Sequence, residues 1–304
     1  MATATSPSTS TSTATARPAS GRPTEPPRRR SHRTGGGRVL NYVLLGLLFL
    51  VLLFPVYYGV IGSFMSPTDI NTFPPRLWPT SGFVAENYAN ALDVIPLGRQ
   101  YLNSAAVAVL VVVGQLLTSV LAAYALVFLR LRGRRFWFAL LLSTMMIPWE
   151  AIIIPNYLAM AELGLINTIA ALALPYLAAG FGVFLLRQAF LTFPMELRDA
   201  ARVDGVGNFG FLWRILVPLT RPTIAALGVW SFLSAWNMYF WPLLITQAPE
   251  NQTIQIGIAQ LQSVDANDPG MVLAGVVLAL LPTLALVLFG QRFIVRGLTA
   301  GSGK

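Results

Sequence analysis

The 304-residue chain contains no cysteine, one histidine and one lysine. Without cysteine it forms neither disulfides nor thiolate metal sites. His32 is its only imidazole, which rules out a metalloprotease or other His-ligated metal enzyme. A P-loop requires Gly-x-x-x-x-Gly-Lys-Ser/Thr, with the lysine reaching the phosphates. The one lysine is Lys304, the final residue, so we expect no such motif here. Charge is scarce too: 11% of residues are charged and 55% are hydrophobic, far from the balance of a soluble domain.

What is abundant is long apolar sequence, at a mean hydropathy of +0.63. A spanning helix needs about 20 mostly apolar residues, because hydrocarbon offers an open backbone no hydrogen bonds. Six stretches qualify or nearly so, at about 39–64, 105–129, 136–160, 166–186, 223–245 and 271–289. The expected architecture is an all-α membrane protein of six transmembrane helices over 38–304. Residues 1–37 are rich in Ser, Thr, Ala, Pro, Gly and Arg, cannot build a core, and are expected to be a disordered tail.

A net charge of +9 could signal nucleic acid, so the location of each charge decides its meaning. Alternating the six spans places the N-terminal tail, 130–135, 187–222 and the C-terminal tail on one side, together with 19 of the 21 Lys and Arg residues. The other side holds Arg76 and Arg99 against seven acids: Asp69, Glu86, Asp93, Glu162, Glu250, Asp265 and Asp268. Basic loops stay inside, so both termini are expected in the cytoplasm, and the basicity reports orientation rather than nucleic-acid binding.

One polar island interrupts the apolar sequence: "DAARVDGVGNFGFLWRILVPLTRP", 199–222. Pro194 suits the first helical position and Glu196 the positive end of the dipole. Leu197, Ala200 and Ala201 share a face, and Asp199 is spaced to pair with Arg202 across one turn. Asp204-Gly205 and Gly207-Asn208 then bend the chain. Phe209, Leu212, Trp213 and Leu216 recur with helical period up to Pro218 and Pro222. The pattern predicts a helix–bend–helix over 194–222. It fits an interfacial amphipathic connector, or a docking element whose small residues Ala200 and Ala201 beside Asp204-Gly205 admit another protein surface.

This island resembles the EAA loop of permease subunits in ATP-binding-cassette importers: Glu-Ala-Ala, two residues, Asp-Gly, then an apolar helix ending in Pro-Leu and a further Pro. Asp199 stands where Glu is usual; Ala200, Ala201, Asp204, Gly205, Pro218, Leu219 and Pro222 match, and Leu212 replaces a usual Phe. "ENYANAL", "PLGRQYLNS", "TMMIPWEAIIIPNYLAM", "FGVFLLRQAF", "SAWNMYFWPLLI" and "QRFIVRGLTAG" extend the likeness over 39–304, to the second permease of the pair in the carbohydrate-uptake branch. The resemblance implies a type I importer fold and a non-catalytic subunit that binds no cofactor itself. It further implies a second six-span permease, two P-loop ATPase subunits using ATP and Mg, an extracytoplasmic solute-binding protein, and a surrounding lipid bilayer. Asp199, Ala200, Ala201, Asp204, Gly205 and Pro218 would couple the chain to the ATPase.

For the translocation pathway, Glu150 is the one acid inside an apolar stretch, bracketed by Pro148 and Pro155, which are expected to break the third span. It could face substrate or satisfy freed backbone N–H groups. Trp236, Asn237, Tyr239 and Trp241 bring rings and an amide suited to a sugar, though Trp and Tyr also form interfacial belts. Arg187 and Gln188 read as snorkelling anchors. A self-powered secondary transporter or channel would call for internal repeats and ionisable relays; no convincing repeat is present, and Glu150 stands alone.

Overall fold

The computed structural model describes residues 35–264 and 268–299. The expected tail lies outside them except for 35–37, which already belong to a helix. The chain divides into two compact units, Met1–Val51 and Leu52–Lys304. In the first, every side chain from 39 to 51 is exposed, as an apolar helix designed for lipid or a partner would be.

In chain order the helices are α1 (Gly35–Gly62), α2 (Pro67–Ile70), α3 (Glu86–Val94), α4 (Leu97–Phe128), α5 (Arg134–Thr144), α6 (Trp149–Glu162), α7 (Ile169–Ala173) and α8 (Gly180–Leu191). There follow α9 (Met195–Val203), α10 (Asn208–Phe211), α11 (Val217–Leu219), α12 (Arg221–Trp236), α13 (Phe240–Ile245), α14 (Ile254–Val264) and α15 (Pro269–Thr299). Three stretches, Val39–Gly62, Leu97–Phe128 and Pro269–Gln291, are single helices long and apolar enough to cross a bilayer.

The other expected spans are broken. At Pro148 the third turns through 94° between α5 and α6, because Pro148 takes extended backbone at the start of α6. Pro155, also expected to break it, lies inside α6 and does not. The fourth bends by 46° after a 3₁₀ turn, Leu174–Tyr176, that contains Pro175. The fifth is expected over 223–245, but α12 stops at Trp236 and the chain resumes as α13. Its 16 residues rise only about 24 Å, short of the ~30 Å hydrocarbon core. Pro242 accounts for the stop one turn earlier, since it cannot donate to the Met238 carbonyl and crowds it.

Helix α4 is the central post, flanked by α12, α8 and α7, with α15 along α12. Around its first half Leu97, Val107 and Val111 pack with Trp236, Trp241 and Ile254. Around its second half Tyr124 and Phe128 pack with Leu186, Phe190, Phe211 and Leu216. Between these clusters lies a polar node. Gln115 Nε2 donates to the Tyr176 carbonyl (2.9 Å), and Ser231 Oγ donates to Gln115 Oε1 (2.6 Å). Thr118 Oγ1 donates to the Leu177 carbonyl (3.0 Å). The carbonyls freed by the break in the fourth span are thus satisfied from α4, as a backbone in hydrocarbon requires. Gly182 of α8 rests directly on Ser119 of α4; a methyl group added there would collide with the Ser119 hydroxyl and touch Leu227.

Candidate coupling surface and pathway wall

Helix α9 begins one residue later than expected, with Pro194 as its N-cap, Glu196 in its first turn and Arg202 in its last. It ends in a Schellman motif. Val206 N–H donates to the Ala201 carbonyl (2.8 Å) and Gly205 N–H to the Arg202 carbonyl (3.0 Å). This stop needs a left-handed residue, and Gly205 supplies it at φ 76°. Val206 then packs onto the cluster that holds Ala201.

The second helix is not regular. After α10 the chain widens into a π-helical stretch, Leu212–Leu216, in which Val217 N–H donates to the Leu212 carbonyl. Half-buried Pro218 follows at once and has no N–H for the ladder, which is the physical cause of the widening. The helix closes at Leu219, and Pro222 belongs to the first turn of α12, to which the pair meets at 80°.

The inward face of this helix pair is firmly fastened. Ala201, Phe211, Leu212 and Leu216 are buried against Tyr124, Phe128, Phe190 and Phe193. Tyr124 Oη donates to the Asn208 carbonyl (3.0 Å). Arg198 donates to the Phe128 carbonyl (2.5 Å), capping the last turn of α4, with its guanidinium 5.2 Å from the Phe128 ring. Ala201, expected on the docking face, therefore points inward. The outward face carries Asp199, Ala200, Arg202, Asp204 and Gly205, with Val203 88% and Phe209 73% exposed. Among the described residues the one ion pair is Arg76–Asp69, so Asp199 and Arg202 do not pair as expected.

Two span breaks carry the residues expected along a pathway. Glu150 is exposed in the first turn of α6, where the helix dipole favours a carboxylate. Among the described residues it accepts no hydrogen bond, so it is not the clamp for freed N–H groups that its position allowed. Trp149 meets Phe240 at 6.4 Å, which brings this break beside the one at Asn237–Tyr239. Asn237 is exposed, its Nδ2 donating to the Leu233 carbonyl (2.8 Å), and half-buried Tyr239 packs edge-on against Phe240 at 5.4 Å. Trp236 is committed elsewhere: 2% exposed, it donates to the Ala279 carbonyl (3.0 Å) and packs between Tyr101 and Phe232. Its ring is structural and offers no face to a solute. Trp241 is likewise buried, donating to the Ala171 carbonyl (3.0 Å). Arg187 is no free anchor; its guanidinium lies 3.9 Å over the Phe138 ring and ties α8 to α5.

Three organising residues carry no local signal in the sequence. Arg198 is one. Asn167, at φ 64°, accepts from the Gln247 and Ala248 N–H groups (3.0 and 3.1 Å). Asp69 is fully buried and accepts from Arg76 (2.5 Å), from the Thr80 N–H and hydroxyl (3.2 and 2.6 Å) and from the Ser81 N–H and hydroxyl (both 3.1 Å). The Thr80 hydroxyl first, then Ser81 and Arg76, hold its carboxyl far below the usual carboxylate range against the opposing effect of burial. "SPTD" signals the N-cap of α2, but the partners of Asp69 lie 7 to 12 residues away, where no local pattern points.

Three single apolar helices and three bent helix pairs, by length and composition up to six spans, define a multi-pass membrane protein. Residues 115–299 match the family described as "Binding-protein-dependent transport system inner membrane component". The chain is similar to the sn-glycerol-3-phosphate transport system permease protein UgpE of Rhizobium meliloti (strain 1021), 38% identical over 269 residues covering 86% of this chain and 95% of that protein. A bacterial ABC transporter involved in the import of the acidic polysaccharide alginate contains a chain of similar structure, with TM-score 0.75 and 25% identity over 85% of this chain and 98% of that one. The alginate transporter in complex with an alginate pentasaccharide-bound periplasmic protein shares the fold at TM-score 0.60 and 18% identity, covering 84% of this chain and 93% of that one. The chain belongs to the binding-protein-dependent transport system inner membrane component family, the permeases of ATP-binding-cassette importers.

Proposed function

We propose that this chain forms half of the translocation pathway of an ATP-driven importer for a sugar, oligosaccharide or related polyol compound, and that α9–α10 is where a separate P-loop ATPase subunit, using ATP and Mg, pushes on it. One observation carries the reading: the helix pair is anchored inward by buried aromatics and Arg198, yet leaves Val203 and Phe209 uncovered on its outward face. An element rigid on one side and apolar on the other transmits a push as a rigid body. Asp199, with no intramolecular partner among the described residues, is free to meet a cation on the ATPase. The reading also takes in a second six-span permease, a second ATPase subunit and an extracytoplasmic solute-binding protein, with both termini in the cytoplasm. The names of the relatives, for glycerol-3-phosphate and alginate transport, support the substrate class. Glu150, Asn237 and Tyr239 remain the candidate wall residues on this side of the pathway.

The test is Gly205→Asp in the reconstituted importer. A side chain there meets nothing within 4 Å in this chain, and Asp tolerates left-handed backbone better than most residues. The variant should therefore insert and fold yet lose ATP-driven uptake; uptake at the native rate would overturn the docking role.

A further inference from the structure

The loop 71–83 presents an unusual surface. Phe73 is 96% exposed, the highest value for any large hydrophobic side chain among the described residues, and Leu77, Trp78 and Phe83 are exposed beside it. The surface is preformed. Trp78 and Phe83 pack edge-to-face at 5.6 Å, Phe83 leans on Phe64 at 6.1 Å, and the Asp69 carboxylate gathers Arg76, Thr80 and Ser81 beneath them. Ordered aromatics held out in this way require a cover.

The position of the loop identifies that cover. Tyr57 Oη donates to the Leu77 carbonyl (2.8 Å). Tyr57 lies five residues before the end of α1 at Gly62, about 7 Å back along the helix at 1.5 Å per residue. Helical side chains lean towards the N-terminus, here farther into the span. The loop therefore folds back to α1 near the end of a helix long enough to span, and the ends of spans are where Tyr and Trp gather in membrane proteins. Val56 and Val60, near Tyr57 on the same apolar helix, are exposed as well. From 71 to 85 there is no acid, and the only charge is Arg76, whose side chain is 42% exposed. Its Nη1 serves Asp69 and Thr80, while Nη2 and Nε have no partner among the described residues.

We propose that 71–83 is a lipid-interface anchor, with Phe73, Leu77 and Trp78 seated at the headgroup–acyl boundary and Arg76 directed at lipid phosphate. It fixes the depth of α1 independently of the helix pair at the opposite end of the spans. The absence of cysteine allows a direct test. Phe73→Cys and Trp78→Cys, each carrying a nitroxide, are placed in the complete importer in phosphatidylcholine–phosphatidylglycerol bilayers, with the complex of the native chain as spectral background and Ala89→Cys on exposed α3 as the aqueous control. In power saturation, both loop sites should collide more with oxygen than with nickel chelate, the reverse of Ala89. Greater chelate access at both sites would place the loop in water, and access to neither reagent would place it against another protein; either result overturns the proposal.

Discussion

Asp69 shows how one side chain organises a segment that has no secondary structure of its own. Five donors converge on its two oxygens, and the charged form is what they recognise. In an unfolded chain an aspartate titrates near 3.9; here the folded value is held well below that. A depressed carboxylate stabilises the fold above the unfolded value and loses that contribution as pH falls through the folded one. Amide exchange at Thr80 and Ser81 should therefore stay slow from neutral pH down to about pH 4, the region of the unfolded value. Asp69→Asn should accelerate exchange at both amides at neutral pH, since a neutral amide is a poorer acceptor; unchanged protection would show that the loop is held by something else. Arg198 does comparable work for the helix pair. Arg198→Gln removes the cap on the Phe128 carbonyl and the contact with its ring, an expected loss of about 1–3 kcal/mol. A lowered melting temperature of the assembled importer, with uptake per ATP hydrolysed also reduced, would mark Arg198 as the residue that transmits the push to α4.

Elements behave according to how their backbones are completed. Gln115 donates to the Tyr176 carbonyl at the break in the fourth span and accepts from Ser231, and Gln115→Leu should cost about 1–2 kcal/mol, read as a shift in thermal unfolding of the complex. Close packing is tested at Gly182, where an added methyl meets the Ser119 hydroxyl. Gly182→Ala should destabilise by about 1–3 kcal/mol, and Ser119→Gly in the same chain should restore most of the loss. If the second change restores nothing, the α4–α8 contact is not where the strain falls. The same physics explains what could be read from the residues in advance. Length and apolarity placed the three unbroken spans, and Asp204-Gly205 marked the bend after α9 because a Schellman stop needs its glycine locally. Pro148 against Pro155 was not legible, since either proline could break a helix and only tertiary packing selects one. The role of Trp236 stayed open for a related reason: the residues around it do not show its partner, the Ala279 carbonyl, which lies 43 residues away. Ala201 turned inward because Tyr124 and Phe128, distant in sequence, define which side of α9 is core.

For the whole molecule, the distribution of charge and the two ends of α4 make a single geometric claim. The end bearing Phe128 gathers α9, α10 and the 130–133 loop, while the end bearing Leu97 gathers α3 and the 249–254 segment through Gln100, Asn103 and Ser104. Among the described residues arginine concentrates at the first end, and basic loops remain in the cytoplasm during insertion. Because the native chain carries no thiol, the claim reduces to two single-cysteine variants at exposed positions, Arg132→Cys beyond α4 and Ala89→Cys on α3. In sealed right-side-out vesicles a membrane-impermeant maleimide should label Ala89→Cys and leave Arg132→Cys untouched, and inverting the vesicles should exchange the two. Labelling of Arg132→Cys from outside would reverse the assigned orientation and place α9–α10 beyond the reach of any cytoplasmic ATPase. That outcome would defeat the coupling reading at its root, whereas loss of uptake in Gly205→Asp together with the expected labelling would leave the outward face of α9–α10 as the surface through which the importer is driven.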